Sequence, residues 1–201
     1  MASSSQTVAS SSKETSDNHL SSWLLFISGP TASGKTSVAD FLASKLKSRY
    51  VEGDDFHPEA NVTKLHQGEP LTDSECRGWL EAVAEYASGY RDEQVERRLI
   101  VTCSALKRSH RELLRETCHR AGYSTVHFIH LDAPESELRR REAVRQGQFA
   151  KGDLLYSQFE ALERPGIDEA DVTMISVVPP PAEVYDGVLD AVLRVIGHGD
   201  A

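Results

Sequence analysis

Several features that mark other classes of protein are missing from this chain of 201 residues. It has only three cysteines (Cys76, Cys103 and Cys118) and no C-x-x-C pair, which argues against a disulfide framework or a zinc site and favours a reducing, cytoplasmic location. No apolar run approaches the length of a bilayer span, so we expect no membrane association. The net charge is −9, and nucleic-acid binding needs basic faces, so we expect no nucleic-acid partner.

The N-terminal segment also lacks the signals of a targeting peptide. Its first 22 residues contain nine serines, no apolar h-region and no arginine, and they include the acidic Glu14 and Asp17. A polar, serine-rich segment of this kind cannot bury enough apolar surface to fold. We therefore predict a disordered tail over residues 1–22 and a single domain over residues 23–201.

Beyond the tail, short apolar runs alternate with stretches of helical periodicity. The predicted strands are Leu24–Ile27, Tyr50–Val51, Leu99–Cys103, Val126–Leu131 and Val172–Val178. Most of these runs are continuous rather than alternating, as in buried parallel strands. The order predicts an α/β fold in which a parallel sheet is covered by helices on both faces, with ligands at the carboxyl ends of the strands.

A complete G-x-x-x-x-G-K-[ST] phosphate loop follows the first predicted strand and opens the first predicted helix. Its residues are Gly29, Pro30, Thr31, Ala32, Ser33, Gly34, Lys35 and Thr36. Backbone amides and the helix dipole of such a loop bind a polyphosphate. The lysine reaches the β- and γ-phosphates, and the threonine hydroxyl binds Mg²⁺. The motif therefore predicts an ATP and Mg²⁺ site.

Three classes of phosphate-loop protein compete at this point. A GTPase should carry N-K-x-D and D-x-x-G, and neither string occurs. A mechanical ATPase usually has an apolar strand that ends in a metal-binding acid pair, and Leu99–Cys103 and Val126–Leu131 lack one. The remaining class is a small-molecule kinase, which transfers a phosphoryl group from ATP to an acceptor.

An acidic pair, Asp54-Asp55, follows the second strand, where the chain returns to the edge of the sheet that carries the phosphate loop. Phosphoryl transfer to an alcohol needs an acid beside the acceptor hydroxyl, and Asp54 fits that demand. The alternative is an Asx turn that caps the helix starting near Pro58. The residues alone leave both interpretations open.

Two basic clusters have a functional and a structural interpretation. Lys107, Arg108 and Arg111 follow the third strand and could bind a carboxylate or phosphate, or they could form a solvated helix face. Arg141 and Arg145 share a helix face before a glycine and could close over the triphosphate as a lid. They could equally pair with neighbouring glutamates on the surface.

Three segments, taken together and in this order, carry a resemblance to a known family. They are Gly53-Asp54-Asp55-Phe56-His57-Pro58, Cys103-Ser104-Ala105-Leu106-Lys107-Arg108 and Ser157-Gln158-Phe159-Glu160. With the phosphate loop, they resemble the gluconate kinases of the shikimate-kinase-like branch of the phosphate-loop kinases. The resemblance implies ATP-dependent phosphorylation of D-gluconate, a five-stranded parallel sheet, Mg²⁺ and frequently a homodimer.

The same resemblance implies roles for individual residues. Asp54 would be the acid at the acceptor hydroxyl, Arg141 and Arg145 the lid arginines, and Pro179 part of the adenine-side loop. The residues that it places in the gluconate pocket are His57, Lys64, Lys107 and Arg111, together with Asp54.

The chain departs from the family pattern at three places. Cys76 stands where the family usually has arginine, and Arg77 is the neighbour that could replace it. Gln148 stands for a histidine in the lid, and Pro30 removes one amide from the phosphate loop. These departures keep two alternatives open: a related kinase acting on shikimate, a nucleoside monophosphate or another sugar acid, and a weakly active nucleotide-binding regulator.

Overall fold

The computed structural model describes residues 22–90, 97–146 and 154–197. In this part of the chain, five parallel strands form one sheet in the order β2-β3-β1-β4-β5. The strands are β1 (Trp23–Ser28), β2 (Arg49–Glu52), β3 (Arg98–Thr102), β4 (Thr125–Asp132) and β5 (Val172–Ser176). The prediction of a five-stranded parallel sheet is confirmed, and each strand overlaps a predicted apolar run.

Helices connect the strands and complete the predicted alternation. They are α1 (Lys35–Leu46), α2 (Glu59–His66), α3 (Asp73–Gly89), α4 (Arg108–Arg120), α5 (Glu135–Gln146), α6 (Leu154–Glu160) and α7 (Pro181–Gly197). A short 3₁₀ turn, Gly53–Phe56, follows β2. Thr72 and Glu75 form a capping box that fixes the start of α3.

The sheet separates two hydrophobic cores, as expected for strands buried on both faces. Leu25 and Ile27 of β1 face a core shared with α1, α5, α6 and α7. Leu24 and Phe26 face the other core, which α3 and α4 cover. Successive strand residues point to opposite faces, so one apolar run supplies both cores. The cysteine Cys103 is buried in the second core as a small apolar residue.

The residue before β1, Ser22, is hydrogen-bonded to the sheet region. Ser22, assigned to the tail from the sequence, accepts hydrogen bonds from the backbone N–H groups of Ser124 and Thr125, both at 3.1 Å. These bonds join the residue before β1 to the start of β4. The rest of the predicted tail lies outside the described residues, and none of the described helices is long and apolar enough to span a bilayer.

Candidate active site

The phosphate loop joins β1 to α1 at the carboxyl edge of the sheet. Gly29 adopts a φ of +135°, and a Cβ atom there would lie 2.6 Å from the carbonyl oxygen of Leu131, so the turn requires glycine. The Lys35 ammonium donates hydrogen bonds to the carbonyl oxygens of Gly29 and Pro30, at 3.1 and 3.0 Å. The lysine side chain therefore lies across the opening of the phosphate loop, where it could contact a bound phosphate.

One cavity of about 480 Å³ opens on the helix side of the loop, and we refer to it as the nucleotide-side cavity. Its lining includes Arg141 of α5 and the segment 177–181. Pro179, which the resemblance assigns to the adenine-side loop, is one of these lining residues. The lining residues are Ser33, Gly34, Ser37, Val38, Glu137, Arg140, Arg141, Val177, Val178, Pro179, Pro180, Pro181, Val184 and Tyr185.

Beside the loop, Glu52 at the end of β2 forms a polar cluster that the sequence analysis missed. Its carboxylate accepts hydrogen bonds from Thr36 at 3.0 Å, from Tyr50 at 2.5 Å and from the Thr102 hydroxyl. Burial alone would raise the pKa of Glu52, but these three bonds and the Lys35 charge outweigh it and lower the pKa. Glu52 is therefore ionised at neutral pH and lies beside the predicted Mg²⁺ ligand.

The donor set at this position fits Mg²⁺. The Thr36 hydroxyl and the Glu52 carboxylate supply hard oxygen atoms, and Mg²⁺ commonly binds one or two protein oxygens together with phosphate oxygens and water. Within the described residues no group of three or more His, Cys, Asp and Glu side chains could hold a metal ion without such help. The signal that could have revealed Glu52 is its place as the last residue of a strand that ends at the phosphate-loop edge.

A second cavity of about 360 Å³ lies on the other side of the loop, and we refer to it as the acceptor-side cavity. Lys35 and Thr31 line it from the phosphate loop, so the two cavities meet at this loop. The other lining residues are Asp54, His57, Leu65, His66, Pro70, Leu71, Asp73, Cys76, Trp79, Ser104, Leu106, Lys107, His110, Leu154, Ser157, Gln158 and Ala161.

Asp54 reaches this cavity from the 3₁₀ turn after β2. Gly53 precedes it at a close backbone approach, since a Cβ atom there would lie 2.0 Å from the Thr102 carbonyl oxygen. The Asp54 side chain is 68% exposed and lies 3.8 Å from the ring of His57. The helix after it, α2, has Pro58 as its N-cap and no side-chain cap, so Asp54 does not cap this helix. The acid therefore faces the cavity.

His57 lies beside Asp54 and is held by an aromatic stack. Its ring lies 4.2 Å from the ring of Trp79 at an interplanar angle of 19°, and the Trp79 indole N–H donates to the Gly53 carbonyl at 2.7 Å. Burial lowers the pKa of His57, although Asp54 opposes this effect. The ring is therefore neutral at pH 7 and offers a hydrogen-bonding edge to the cavity rather than a charge.

Lys107 supplies a cation to the acceptor-side cavity. It donates to the Asp73 carboxylate at 2.6 Å, and this hydrogen bond raises the pKa of the lysine. Cys76 and His110 line the same wall. The sequence analysis did not select His110, because the fold, not its spacing along the chain, brings it to the cavity.

Lys64, which the resemblance places in the gluconate pocket, and Arg77, the possible replacement for the family arginine, are not among the residues that line this cavity. Lys64 pairs with Glu75 at 2.5 Å and so joins α2 to the capped start of α3. Arg77, the neighbour that could replace the family arginine at Cys76, has a side chain 70% exposed and pairs with Glu81 at 2.9 Å. In this structure Cys76 lines the cavity, and Arg77 is not among its lining residues.

The structure also corrects the prediction for Arg111. Its side chain is fully buried and forms a two-bond pair with Glu169, at 2.8 and 2.6 Å. A third nitrogen donates to the carbonyl oxygens of Ala105 and Leu106, both at 3.2 Å. The pair lowers the pKa of Glu169 to about 2. Arg111 therefore holds the wall of the acceptor-side cavity in place and has no open face toward a substrate.

The arginines of α5 show features of both interpretations, the lid and the surface pairing. Arg140 and Arg141 both pair with Glu137, at 2.9 and 2.8 Å, which is the surface pairing considered as an alternative. Arg141 also donates to the Val177 carbonyl and lines the nucleotide-side cavity. The predictions for the Arg145 side chain and for Gln148 lie outside the described residues.

One buried histidine lies directly beneath the phosphate loop. His130 on β4 is fully buried, and its Nδ1 atom lies 3.1 Å from the hydroxyl of Ser28, the residue before Gly29. Burial, with a smaller contribution from Arg111, lowers the pKa of His130 to about 4. The neutral ring therefore supports the floor of the site without adding charge to it.

Comparison with known proteins places this geometry in a family. A family model described as an AAA domain matches residues 24–164. A probable gluconokinase of Schizosaccharomyces pombe is 37% identical over 88% of this chain and 91% of its own length. The thermoresistant gluconokinase of Escherichia coli is 34% identical over 85% of this chain and 91% of its own length.

The fold comparison agrees with the sequence comparison. The crystal structure of a gluconokinase from Sinorhizobium meliloti 1021 superposes with a TM-score of 0.75 at 33% identity, covering 89% of this chain and 95% of that one. An adenylyl-sulfate (APS) kinase from Mycobacterium tuberculosis, at 20% identity and a TM-score of 0.62, shares the fold alone. The chain belongs to the gluconokinase family of phosphate-loop kinases.

Proposed function

We propose that this protein transfers the γ-phosphoryl group of ATP to the terminal hydroxyl of D-gluconate, giving 6-phospho-D-gluconate and ADP. The observation that carries the proposal is the phosphate loop between the two cavities: Ser33 and Gly34 line the nucleotide-side cavity, and Lys35 lines the acceptor-side cavity, which also contains Asp54. A lysine at this position can bind the phosphate that moves from one cavity to the other.

On the nucleotide side, the loop amides and the N-terminus of α1 bind the phosphates, and Lys35 binds the γ-phosphate. Thr36 and Glu52 would hold Mg²⁺, which offsets the charge of the β- and γ-phosphates when bound. Arg141 lines the same cavity and can approach the transferring group if its pairing with Glu137 opens. These groups act by electrostatic stabilisation, the main source of catalysis in phosphoryl transfer.

On the acceptor side, Asp54 orients the hydroxyl and accepts its proton as the new O–P bond forms and the bond to the ADP oxygen breaks. Lys107 matches the single carboxylate of gluconate. The neutral ring of His57 can donate or accept a hydrogen bond with a sugar hydroxyl. The cavity thus combines one cation for the carboxylate with polar groups for the hydroxyls.

The test is ADP release from Mg·ATP by the purified protein with D-gluconate, its epimers, shikimate or AMP as acceptor. We expect turnover with D-gluconate and at least tenfold less with the other acceptors, since each lacks either the carboxylate or the matching hydroxyls. Turnover with another acceptor alone would assign a different substrate to the same kinase. Tight ATP binding with no turnover would favour the regulator. The homodimer and the cytoplasmic location remain predictions.

A further inference from the structure

We propose that Gln158 is a positioning residue that couples gluconate binding to ATP binding, an inference that rests on the proposed function. The Gln158 Oε1 atom accepts a hydrogen bond of 2.6 Å from the backbone N–H of Thr31 in the phosphate loop. Both residues also line the acceptor-side cavity. One side chain thus contacts the phosphate loop and forms part of the acceptor wall.

The helix that carries Gln158 is fixed to the rest of the fold. Leu155 of α6 is buried in the core beneath α1, and Phe159 packs against the same core. Just beyond α6, the Glu163 N–H donates to the Leu106 carbonyl at 3.0 Å, and its carboxylate accepts from the Arg108 N–H at 2.7 Å. These bonds tie α6 to another wall of the acceptor-side cavity, so a displacement of this wall would be transmitted to Gln158.

The conformation of the phosphate loop depends on the hydrogen bond between Gln158 and Thr31. Pro30 has no N–H, so it donates no backbone hydrogen bond at this end of the loop. Ala32 adopts a φ of +60°, a conformation that costs a non-glycine residue energy and needs support from its neighbours. The bond to Thr31 supplies that support between these two residues. Its loss would allow the loop to relax away from the shape that binds phosphate.

Because Oε1 is engaged by Thr31, the NH₂ group of Gln158 is the end available as a donor to a bound substrate. A gluconate hydroxyl or a phosphate oxygen that holds this group would fix the side chain and hence the loop. Coupling between two binding sites is reciprocal, so each substrate should tighten the binding of the other. A purely structural Gln158 would instead change stability and leave the coupling intact.

The experiment is a calorimetric titration of gluconate with and without a nonhydrolysable ATP analogue and Mg²⁺. In the wild type we expect the analogue to tighten gluconate binding about fivefold or more. Gln158→Met has a similar size but cannot accept the Thr31 bond, so the effect should fall below about twofold, with both binary affinities changed less than about threefold. Glu160→Gln, on the exposed part of α6, is the matched control and should keep the wild-type effect.

A second variant keeps the proposal testable if Gln158→Met is poorly folded. Gln158→Glu retains an oxygen for the Thr31 amide but adds a negative charge beside the phosphates, so binding of the analogue alone should weaken about tenfold. Unchanged binding would place the side chain away from the phosphates and overturn the proposal. In kinetics, Gln158→Met should raise both KM values more than it lowers kcat.

Other outcomes would also contradict the proposal. Wild-type protein without coupling, or Gln158→Met with full coupling, would overturn it, as would binary affinities that fall as far as the ternary ones. Turnover of the wild-type protein with each acceptor is measured first in the same buffer. Turnover with an acceptor other than gluconate contradicts the proposed function and leaves the inference about Gln158 to be tested with that acceptor. The titration then uses the acceptor that turns over.

Discussion

The two cavities of this protein are built in different ways. In the nucleotide-side cavity, the predicted phosphate-binding part is one continuous stretch of the phosphate loop and the start of α1 (33–38), and the other lining residues lie at 137–141 and 177–185. The acceptor-side cavity is lined by residues of five separate stretches, 31–35, 54–57, 65–79, 104–110 and 154–161, and its Lys107 pairs with Asp73. Recognition of a phosphate therefore depends on one continuous motif, whereas recognition of the acceptor depends on how distant segments meet.

The largest expected effect comes from the lysine of the phosphate loop, the motif that lines both cavities. Lys35→Met should lower kcat about 10³-fold, because the γ-phosphate loses its main protein cation in the transition state. Steady-state turnover with gluconate measures this effect, and thermal unfolding should show little change. Lys45→Met, an exposed lysine on the same helix, is the control. Similar losses in both variants would contradict a specific role for Lys35.

A change at Asp54 should lower catalysis without weakening ATP binding. Asp54→Asn should lower kcat about 10²-fold or more, since the amide cannot accept the hydroxyl proton, while ATP affinity stays within about threefold. Asp55→Asn alters the adjacent exposed carboxylate and should leave kcat near the wild-type value. Kinetics together with ATP titration distinguish these variants. Normal activity in Asp54→Asn would remove this residue from the mechanism.

A change at the acceptor-side cation should affect one substrate only. Lys107→Met should raise the KM for gluconate about 10- to 100-fold, as expected for loss of a charged hydrogen bond, with the KM for ATP unchanged. Arg77→Met removes a cation from α3 that pairs with Glu81 outside the cavity, so its gluconate KM should be unchanged. A raised KM in Arg77→Met would mean that this arginine does replace the family cation.

The structural role of Arg111 predicts an effect on stability. Glu169→Gln leaves the buried guanidinium without its counter-charge and should lower the free energy of unfolding by about 3 kcal/mol. Asp168→Asn removes an exposed partner of Arg108 and should cost less than about 1 kcal/mol. Urea unfolding measures both. A stable Glu169→Gln protein with a much higher gluconate KM would instead support the substrate role predicted from the resemblance.

The smallest effect concerns the floor of the phosphate loop. Burial lowers the pKa of His130 from 6.5 to about 4, so as the pH falls the unfolded chain binds the proton first. The free energy of unfolding should therefore fall between pH 6.5 and 4, by about 2–3 kcal/mol from this group. His130→Asn should flatten that part of the pH profile, and His119→Asn, on the exposed end of α4, should not.

The sequence by itself determined the fold class and the presence of a phosphate loop between a strand and a helix. Continuous apolar runs specify buried parallel strands, and the loop from Gly29 to Thr36 binds phosphate with its own backbone, so local pattern is sufficient. The location of Asp54 beside that loop also followed from sequence, because it comes directly after a strand. The carboxyl ends of parallel strands meet at one edge of the sheet.

Only the tertiary structure decided which charged residues line the acceptor-side cavity. Lys107 and Arg111 lie one helical turn apart and look alike in sequence, yet one lines the cavity and the other is buried against Glu169. His110 and Gln158 reach the site through contacts between distant segments, which no local spacing records. The physical reason is that the role of a charged side chain depends on the groups nearest to it, and the packing of the fold determines which groups those are.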